Sequence, residues 1–323
     1  MAVINNKLMP NFLIVGAAKC GTTSLYHYLL QHPDVYMSPI KEPNHFSTDI
    51  LPEKFSPMYL QHEKEKRLNI REYVNGPMLA SRKVWGAYVH DSEDYQKLFK
   101  FAAGKKAIGE ISNSYLFSNV AADRIRKEFP DMKIVMILRQ PAERAYSHYM
   151  ANLRDGRTVL SFRDELEDDA AKSEKGWGIS HVYYELGLYS KQVQRYLNNF
   201  PADQVNIFLF DDLKKDTAGV AKNLFNYLNI PDNINLNYTE RRNEALMPKN
   251  KHLVRWLTKT GIKKRLLHIF PEKRQEAIKG LFFSKKAVPK LSMEDRKWLT
   301  EKYRTDILEL EKIINRDLSA WLK

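Results

Sequence analysis

The loop at residues 16–24, Gly-Ala-Ala-Lys-Cys-Gly-Thr-Thr-Ser, combines two glycines with a lysine and three hydroxyl side chains. It follows the apolar stretch 12–15 and precedes the amphipathic stretch 22–31, a pattern that places it between a strand and a helix N-terminus. Glycines let the backbone approach an anion closely, and the free amide groups of a helix N-terminus point toward it. These residues therefore predict a phosphate-binding loop.

The position of the lysine distinguishes this loop from the one found in ATP-hydrolysing enzymes. The spacing of Gly16 and Gly21 is that of the Walker A sequence Gly-x-x-x-x-Gly-Lys-[Ser/Thr], in which the lysine reaches the terminal phosphates. Here Thr22 follows Gly21, and the lysine lies inside the loop at Lys19. The loop therefore predicts an anionic nucleotide other than ATP.

Two side chains that can accept a proton lie in the segment Lys41-Glu42-Pro43-Asn44-His45-Phe46. A glutamate has a reference pKa of about 4.3, so Glu42 needs a raised pKa to remove a proton efficiently near neutral pH. The reference pKa of histidine is about 6.5, so His45 already suits a general base. From the residue types alone both remain candidates, and an exposed Glu-Pro turn is the structural alternative for Glu42.

A single arginine, Arg139, ends the strongly apolar stretch 134–138. A charge buried there is costly unless it has a partner. A phosphate group is such a partner, because a guanidinium can bind it with two parallel hydrogen bonds. The alternative is a structural ion pair of Arg139 with Glu143 or Asp131.

Strand and helix patterns alternate along the chain, which predicts an α/β fold with a largely parallel sheet. We expect a core domain over residues 1–245 and a basic, helical C-terminal part over residues 246–323 that packs on the same domain. The predicted strands cover residues 12–15, 35–37, 107–111, 133–138 and 205–210. The predicted helices cover residues 22–31, 121–129, 142–154, 161–173, 188–200 and 217–228, and helices dominate from residue 243 onward.

Composition favours a soluble enzyme of 323 residues with 43% hydrophobic content, enough to bury a sizeable core. Cys20 is the single cysteine, so no internal disulfide can form and an oxidising compartment is not implied. The N-terminal residues do not read as a secretory signal, and the early apolar run is far shorter than the roughly 20 residues that span a bilayer. We therefore expect a cytoplasmic protein.

The excess of positive charge is concentrated in residues 246–290. This segment has 13 lysines and arginines against two acids, a net charge of +11, whereas the whole chain carries +13. Such a segment predicts peripheral contact with an anionic membrane or an acidic glycan, or alternatively helices with solvated basic faces. It carries no recognised nucleic-acid motif, so specific nucleic-acid binding is not expected.

Three segments together resemble the sulfotransferases that use 3′-phosphoadenylyl sulfate (PAPS). Residues 19–24 are similar to the family's 5′-phosphosulfate loop, and residues 134–149 to its 3′-phosphate segment, with Arg139 on a strand and Ser147 on the next helix. Residues 41–46 resemble the Lys-Glu-Pro element of the carbohydrate (heparan-sulfate-type) branch. The chain is identified as a soluble, bacterial-type member, which implies a P-loop-like three-layer fold around a mostly parallel sheet.

The resemblance implies transfer of a sulfuryl group from PAPS, released as 3′-phosphoadenosine 5′-phosphate (PAP), with no metal required. The acceptor is a hydroxyl or amine of a glycan, a glycolipid or a small-molecule alcohol. Lys19 stabilises the leaving phosphate and Glu42 is the base, while His45 is the competitor because histidine serves the branch that acts on steroids and phenols. The implied donor-binding residues are Lys19, Cys20, Gly21, Thr22, Thr23, Ser24, Arg139, Ser147, Arg241 and Arg242.

Two other functions compete with this interpretation. A P-loop kinase or ATPase would use Asp211 and Asp212, which follow the predicted strand 205–210, as the acidic end of a Walker B strand. It would also need magnesium. A binding protein would use the basic segment 246–290 to attach to an anionic surface.

Overall fold

A five-stranded parallel sheet forms the centre of the protein in a computed structural model that describes residues 3–4, 7–60, 69–81, 83–238, 247–262, 280–284 and 289–323. The spatial order of its strands is β4-β7-β3-β8-β9, and every neighbouring pair is parallel. The strands of the described residues are β1 Val3–Ile4, β2 Lys7–Leu8, β3 Phe12–Gly16, β4 Val35–Met37, β5 Ile40–Lys41, β6 Val84–Trp85, β7 Ala107–Ile111, β8 Lys133–Leu138, β9 Val205–Leu209, β10 Met247–Pro248 and β11 Phe283–Ser284.

The central strands are short apolar runs because both faces of a parallel sheet are covered. All five residues of β3 and of β7 are buried. The predicted bounds of β4, β7 and β8 are confirmed exactly as stated, while β3 extends one residue further and β9 ends one residue earlier. The α/β class and the mostly parallel sheet predicted from the sequence are therefore confirmed.

Helices connect the parallel strands and flank the sheet. The long helix α7 begins at Pro141, and the Gln140 side chain caps it by accepting from the amide of Glu143 at 2.7 Å. The helices of the described residues are α1 Thr22–Gln31, α2 Ile70–Asn75, α3 Met78–Ser81, α4 Ser92–Lys97, α5 Ser114–Phe117, α6 Ala121–Glu128, α7 Pro141–Asp155, α8 Phe162–Ala171, α9 Tyr189–Asn199, α10 Phe210–Lys215, α11 Thr217–Tyr227, α12 Lys251–Lys259 and α13 Met293–Ile314.

The C-terminal helix α13 packs on α7 and α9. The Gln140 side chain donates to Thr300 Oγ1 at 2.9 Å, and the buried Asp306 carboxylate accepts from the Tyr189 amide at 2.7 Å. After residue 245 the described residues include the helices α12 and α13 and the short strands β10 and β11, which pair with each other in antiparallel fashion. The domain boundary at residue 245 stays a prediction.

Part of the basic segment 246–290 is described. Helix α12 packs on α7, and its buried residues are Val254 and Leu257, whereas Trp256 is 55% exposed. Residues 263–279 and 285–288 lie outside the described residues, so the predicted basic surface can be followed only in part. In the ranges that the structure describes, no helix has the length and apolar character needed to cross a bilayer.

Candidate functional site

The carboxyl ends of the sheet strands open into a cavity of about 780 Å³. We call it the larger cavity, because a second cavity of about 270 Å³ adjoins it. Ligands of parallel α/β folds bind at this edge, because the loops that follow the strands converge there. The loop after β3 contributes Lys19, the residues after β7 and β8 contribute Asn113 and Arg139, and α10 after β9 contributes Phe210. The remaining lining residues are Gly21, Thr22, Thr23, Ser24, Glu42, Glu143, Tyr146, Ser147, Met150, Ala151, Arg154, Pro289, Lys290, Leu291, Met293 and Arg296.

The loop after β3 presents an open helix N-terminus to the larger cavity. Gly21 precedes α1 with a φ of 101°, and a Cβ at this position would lie 2.9 Å from the Phe210 ring, so only glycine fits. Gly21 occupies the N-cap position of α1, where no side chain forms a capping hydrogen bond with the amides of the first turn. The helix dipole and the first-turn amides therefore favour an anion here.

Cys20 lies within this loop, but its thiol does not line the larger cavity. The side chain is fully buried, and Sγ is 3.5 Å from the Tyr189 hydroxyl. Burial raises the pKa of the thiol. The predicted donor-binding role of Cys20 is thus limited to its main chain.

Lys19 reaches the larger cavity from inside the loop, in a left-handed backbone conformation with φ of 69°. Burial lowers the pKa of its ammonium group to about 8, and the neighbouring positive charges of Arg154 and Arg139 act in the same direction. Asp155 and Glu42 oppose this shift. A cation held among other cations is suited to an anionic ligand, which restores favourable charge pairing.

Glu42 is held at the edge of the larger cavity by two donors to the same oxygen. Lys41 Nζ lies 2.8 Å from Oε1, and Asn113 Nδ2 donates to Oε1 at 2.7 Å. The described residues form no hydrogen bond to Oε2. The carboxylate thus keeps one oxygen available for a ligand.

The backbone that carries Glu42 is conformationally unusual. Glu42 has a φ of 66° and Asn44 a φ of 52°, in the region that non-glycine residues rarely adopt. The Glu42 amide donates to the Ile111 carbonyl at 2.7 Å, and the Asn44 amide donates to Ser112 Oγ at 3.0 Å. These bonds tie the loop to the end of β7, which fixes where the carboxylate points.

The buried Glu110 lies below this loop. Ser112 Oγ donates to Glu110 Oε2 at 2.9 Å, and burial raises the pKa of the Glu110 carboxyl to about 8. Glu110 lines neither of the two cavities that meet at Glu42. It therefore supports the loop through Ser112 rather than contacting a ligand.

His45 lies in the core, away from the position expected of a base. Its ring stacks on Tyr95 with a centroid distance of 3.9 Å, and Nδ1 lies 2.6 Å from the Val89 carbonyl oxygen. Burial lowers the pKa of its imidazole to about 4. His45 contributes to neither cavity at Glu42, so the expectation that it competes with Glu42 is corrected.

Arg139 and Ser147, which the resemblance assigns to the 3′-phosphate, both line the larger cavity. The Arg139 guanidinium lies 4.9 Å from the centre of the Phe210 ring and pairs with Glu143 Oε2 at 3.2 Å. The ion pair weighed as an alternative for Arg139 is thus present, and it lies within the cavity. Arg241 and Arg242 lie outside the described residues.

A second cavity of about 270 Å³, the smaller cavity, lies on the other side of Lys19, Glu42 and Asn113, which line both. The Arg157 guanidinium lies 5.1 Å from the centre of the Tyr59 ring, and the Tyr59 hydroxyl is 2.7 Å from His181 Nδ1. The other lining residues are Ala18, Asn44, Phe55, Gly86, Tyr88, His148, Trp177, Gly178, Ser180, Val182 and Leu186.

Asp211 and Asp212, the acidic residues that a kinase would use, form their contacts outside the larger cavity. Asp211 pairs with Lys214 at 2.7 Å and accepts from the Trp321 indole at 3.0 Å, while Asp212 pairs with Arg316 at 2.9 Å. Neither lines the larger cavity. Among the described residues, no group of three or more His, Cys, Asp or Glu side chains is arranged to bind a metal ion.

The parallel sheet with its flanking helices is the fold of the sulfotransferases. The sulfotransferase family model matches residues 10–233, so the chain belongs to the sulfotransferase family of enzymes. A sulfotransferase structure from Alicyclobacillus acidocaldarius is 30% identical and superposes with a TM-score of 0.68, over 98% of this chain and 100% of that one. The predicted P-loop-like fold and the recognition of the family are confirmed.

Two curated relatives have names that specify their acceptors. Carbohydrate sulfotransferase 15 of Mus musculus is 25% identical over 277 residues, which cover 76% of this chain and 47% of the relative. The bifunctional heparan sulfate N-deacetylase/N-sulfotransferase 2 of Bos taurus is 25% identical over 323 residues, covering 98% of this chain and 31% of the relative. The chain spans half or less of the length of these relatives.

Asn113, Glu143 and Arg296 are among the residues of the larger cavity that the sequence did not identify as site residues. Asn113 could have been found, because it follows β7 just as Arg139 follows β8. Glu143 was weighed only as an alternative partner for Arg139. Arg296 has no local signal, since it is one charge in a helix whose contact with the cavity depends on tertiary packing.

Proposed function

We propose that the protein transfers the sulfuryl group of PAPS to a hydroxyl or amine of a carbohydrate acceptor. The observation that carries this proposal is that the larger and the smaller cavity meet at Lys19, Glu42 and Asn113. In-line transfer needs a donor and an acceptor on opposite sides of the reacting group, with a cation and a base between them. The larger cavity holds the donor and the smaller cavity holds the acceptor.

The larger cavity suits a nucleotide with phosphates at both ends. At one end the loop around Lys19 and the N-terminus of α1 bind the 5′-phosphosulfate. At the other end Arg139 and Ser147 bind the 3′-phosphate, and the 3′-phosphate distinguishes PAPS from ATP. Thr22, Thr23 and Ser24 supply hydroxyls and amides to the 5′ end, while Arg241 and Arg242 stay a prediction for closing the site.

The reaction assigns one task to each shared residue. The acceptor oxygen or nitrogen forms a bond to sulfur as the bond between sulfur and the bridging oxygen breaks, and that electron pair leaves with PAP. Glu42 accepts the proton of the attacking group through Oε2, while Asn113 holds Oε1 in place. The Lys19 ammonium stabilises the negative charge that develops on the leaving phosphate.

The acceptor is a carbohydrate because the walls of the smaller cavity and the named relatives agree. Phe55, Tyr59, Tyr88 and Trp177 provide aromatic faces, which pack against the apolar faces of sugar rings. The names of the two curated relatives specify carbohydrate and heparan sulfate sulfotransferases. Arg157 forms no ion pair with the described residues, and we assign it to a carboxylate or sulfate group of the acceptor.

The proposal is tested by PAP binding and by PAPS turnover with a panel of acceptors. We expect PAP to stabilise the protein without magnesium, by about 2.7 kcal/mol at 100 times its dissociation constant, and therefore to raise the melting temperature. ATP with magnesium should give no comparable shift. Release of PAP should accelerate with one class of desulfated or partly sulfated glycan and persist in EDTA, as expected for a reaction that requires no metal.

Each part of this test can contradict the proposal. A thermal shift only with ATP and magnesium would favour a kinase-like protein. PAP binding with no turnover on any glycan, but turnover on phenols or simple alcohols, would contradict the carbohydrate acceptor and leave the donor intact. The cytoplasmic location and the contact of residues 246–290 with an anionic surface stay predictions.

A further inference from the structure

The Glu143 carboxylate bridges two arginines inside the larger cavity. Its Oε2 lies 3.2 Å from Arg139 Nη2, and its Oε1 lies 2.6 Å from Arg296 Nη1. All three side chains are partly buried and line the cavity. We propose that Arg296 is a second cation of the 3′-phosphate subsite, an inference that rests on PAPS as the donor. When the donor binds, its 3′-phosphate replaces Glu143 between the two arginines.

The bridge marks a position that an anion already occupies. A carboxylate oxygen lies within hydrogen-bond distance of each guanidinium, so the space between the two groups favours negative charge. A phosphate carries up to two negative charges and three acceptor oxygens, so it bonds both arginines more strongly than one carboxylate does. Glu143 is the competitor that a bound 3′-phosphate displaces.

Ser147 lies next to this position on α7. Glu143 and Ser147 are four residues apart, so their side chains share one face of the helix. Both line the same cavity as Arg296. The predicted 3′-phosphate contacts, Arg139 and Ser147, thus line the same cavity as the carboxylate that Arg296 contacts.

Arg296 is fixed in place by its own contacts rather than by the carboxylate alone. Its Nε donates to the Lys323 carbonyl oxygen at 3.0 Å, which leaves further guanidinium N–H groups for an anion. The N-terminal turn of α13 is held to α8 by Arg163, which pairs with Asp295 at 3.0 Å. The chain just before α13 is held by the Tyr146 hydroxyl, which donates to the Pro289 carbonyl at 2.8 Å.

The test compares two nucleotides that differ only in the 3′-phosphate, PAP and adenosine 5′-phosphate (AMP). Dissociation constants are measured by calorimetry for the wild type and for Arg296→Gln, Arg296→Lys and Glu143→Gln. We expect Arg296→Gln to weaken PAP binding by about tenfold to 100-fold, the range of a hydrogen bond to a charged group, with AMP binding within about twofold. Arg296→Lys keeps the charge but loses the fork of donors, so its loss is smaller.

Glu143→Gln tests the second half of the proposal in the opposite direction. Removing the negative charge should tighten PAP binding by a few fold and leave AMP binding unchanged. Arg304→Gln is the matched control, because it removes the same charge from the same helix, where Arg304 pairs with Glu301 outside the cavity. Melting temperatures of all variants check that each one is folded.

The outcomes separate this inference from the proposed function. A wild-type protein that binds PAP no better than AMP contradicts the proposed donor itself. A wild type that prefers PAP, with the same preference in Arg296→Gln, overturns the role of Arg296. Weaker PAP binding in Glu143→Gln overturns the displacement of Glu143. A loss of PAP affinity in Arg304→Gln equal to that in Arg296→Gln would show that Arg296 acts only through the net charge of the protein, which overturns its place in the subsite.

Discussion

The larger and the smaller cavity share Lys19, Glu42 and Asn113, but they are built from different kinds of structure. The larger cavity combines loops and helix starts that follow strands of the central sheet with residues along α7 and at the start of α13. The smaller cavity takes its aromatic walls from connecting segments around residues 55–59, 86–88 and 177–182, outside that sheet. Under the proposed function, donor recognition is tied to the scaffold, whereas acceptor recognition depends on segments that can vary without disturbing the sheet.

The charges of the two cavities differ in the same way. The larger cavity is lined by the cationic side chains of Lys19, Arg139, Arg154, Lys290 and Arg296, with Glu143 pairing two of them. Among the described lining residues of the smaller cavity, Arg157 is the single arginine and the walls are aromatic. We expect substitutions to separate accordingly into donor effects, acceptor effects and effects on the step between them.

The largest effect is expected at the shared wall, in Glu42→Gln. An amide keeps a hydrogen-bonding partner for Asn113 but cannot accept the proton of the acceptor, so kcat should fall by at least about 100-fold. PAP affinity should stay within about twofold, because Glu42 is not a phosphate ligand. Turnover and calorimetry measure the two quantities.

Glu309→Gln provides the control for this substitution, since Glu309 is exposed on α13 and lines neither cavity. Turnover of Glu42→Gln within a few fold of the wild type would show that another group removes the proton. Loss of PAP binding together with turnover would mean that the two cavities are not functionally distinct.

The second effect concerns the donor side and depends on pH. Lys19 has a pKa of about 8 without ligand, so it is charged below pH 8 and loses its charge as the pH rises through that value. Because phosphate groups bind the charged form, PAP affinity should be at its highest near pH 7, where Lys19 is charged and the phosphates, with a second pKa of about 6, are ionised. It should then fall above pH 8, by up to about tenfold per unit, because one proton must be taken up on binding.

Two variants identify the titrating group. Lys19→Arg should flatten the pH profile, since a guanidinium stays protonated throughout this range. Glu110 also has a pKa of about 8 and would add a negative charge above it, so Glu110→Gln is measured in parallel. A profile that is flattened by Glu110→Gln but not by Lys19→Arg would assign the dependence to Glu110.

The sequence was sufficient to predict the elements that carry the donor loop. Residues 12–15, 134–138 and 205–210 are short, largely apolar runs of the length of strands, and each is followed by a glycine or a charged residue. A phosphate loop is encoded locally, since its glycines, lysine and helix start are contiguous. Lys19, Arg139 and Ser147, which the sequence predicts as phosphate-binding residues, line one cavity.

His45 shows where this reasoning failed. It is three residues from Glu42 in sequence, and its reference pKa suits a base, but burial against Tyr95 makes its neutral form the stable one. Arg296 and the walls of the smaller cavity were missed for a related reason. Their positions depend on packing between segments more than 100 residues apart, such as Glu143 and Arg296, and no local pattern records that packing.

The smallest expected effect lies in the smaller cavity, in Arg157→Gln. The Arg157 guanidinium lies against the Tyr59 ring and donates to Asn152 Oδ1 at 3.3 Å, a neutral partner that leaves its charge uncompensated. For an acceptor with a carboxylate or sulfate group, KM should rise by about tenfold, the cost of one charged hydrogen bond. PAP affinity and the KM of a neutral acceptor should not change.

Arg304→Gln again serves as the control, because it lowers the net charge equally from a position outside both cavities. An unchanged KM for anionic acceptors in Arg157→Gln would show that this arginine only packs on Tyr59. A weaker affinity for PAP in this variant would contradict the assignment of the smaller cavity to the acceptor, because it would place Arg157 on the donor side. The separate functions of the two cavities are therefore tested by two substitutions. Arg157→Gln should change acceptor binding alone, and Glu42→Gln should change turnover alone.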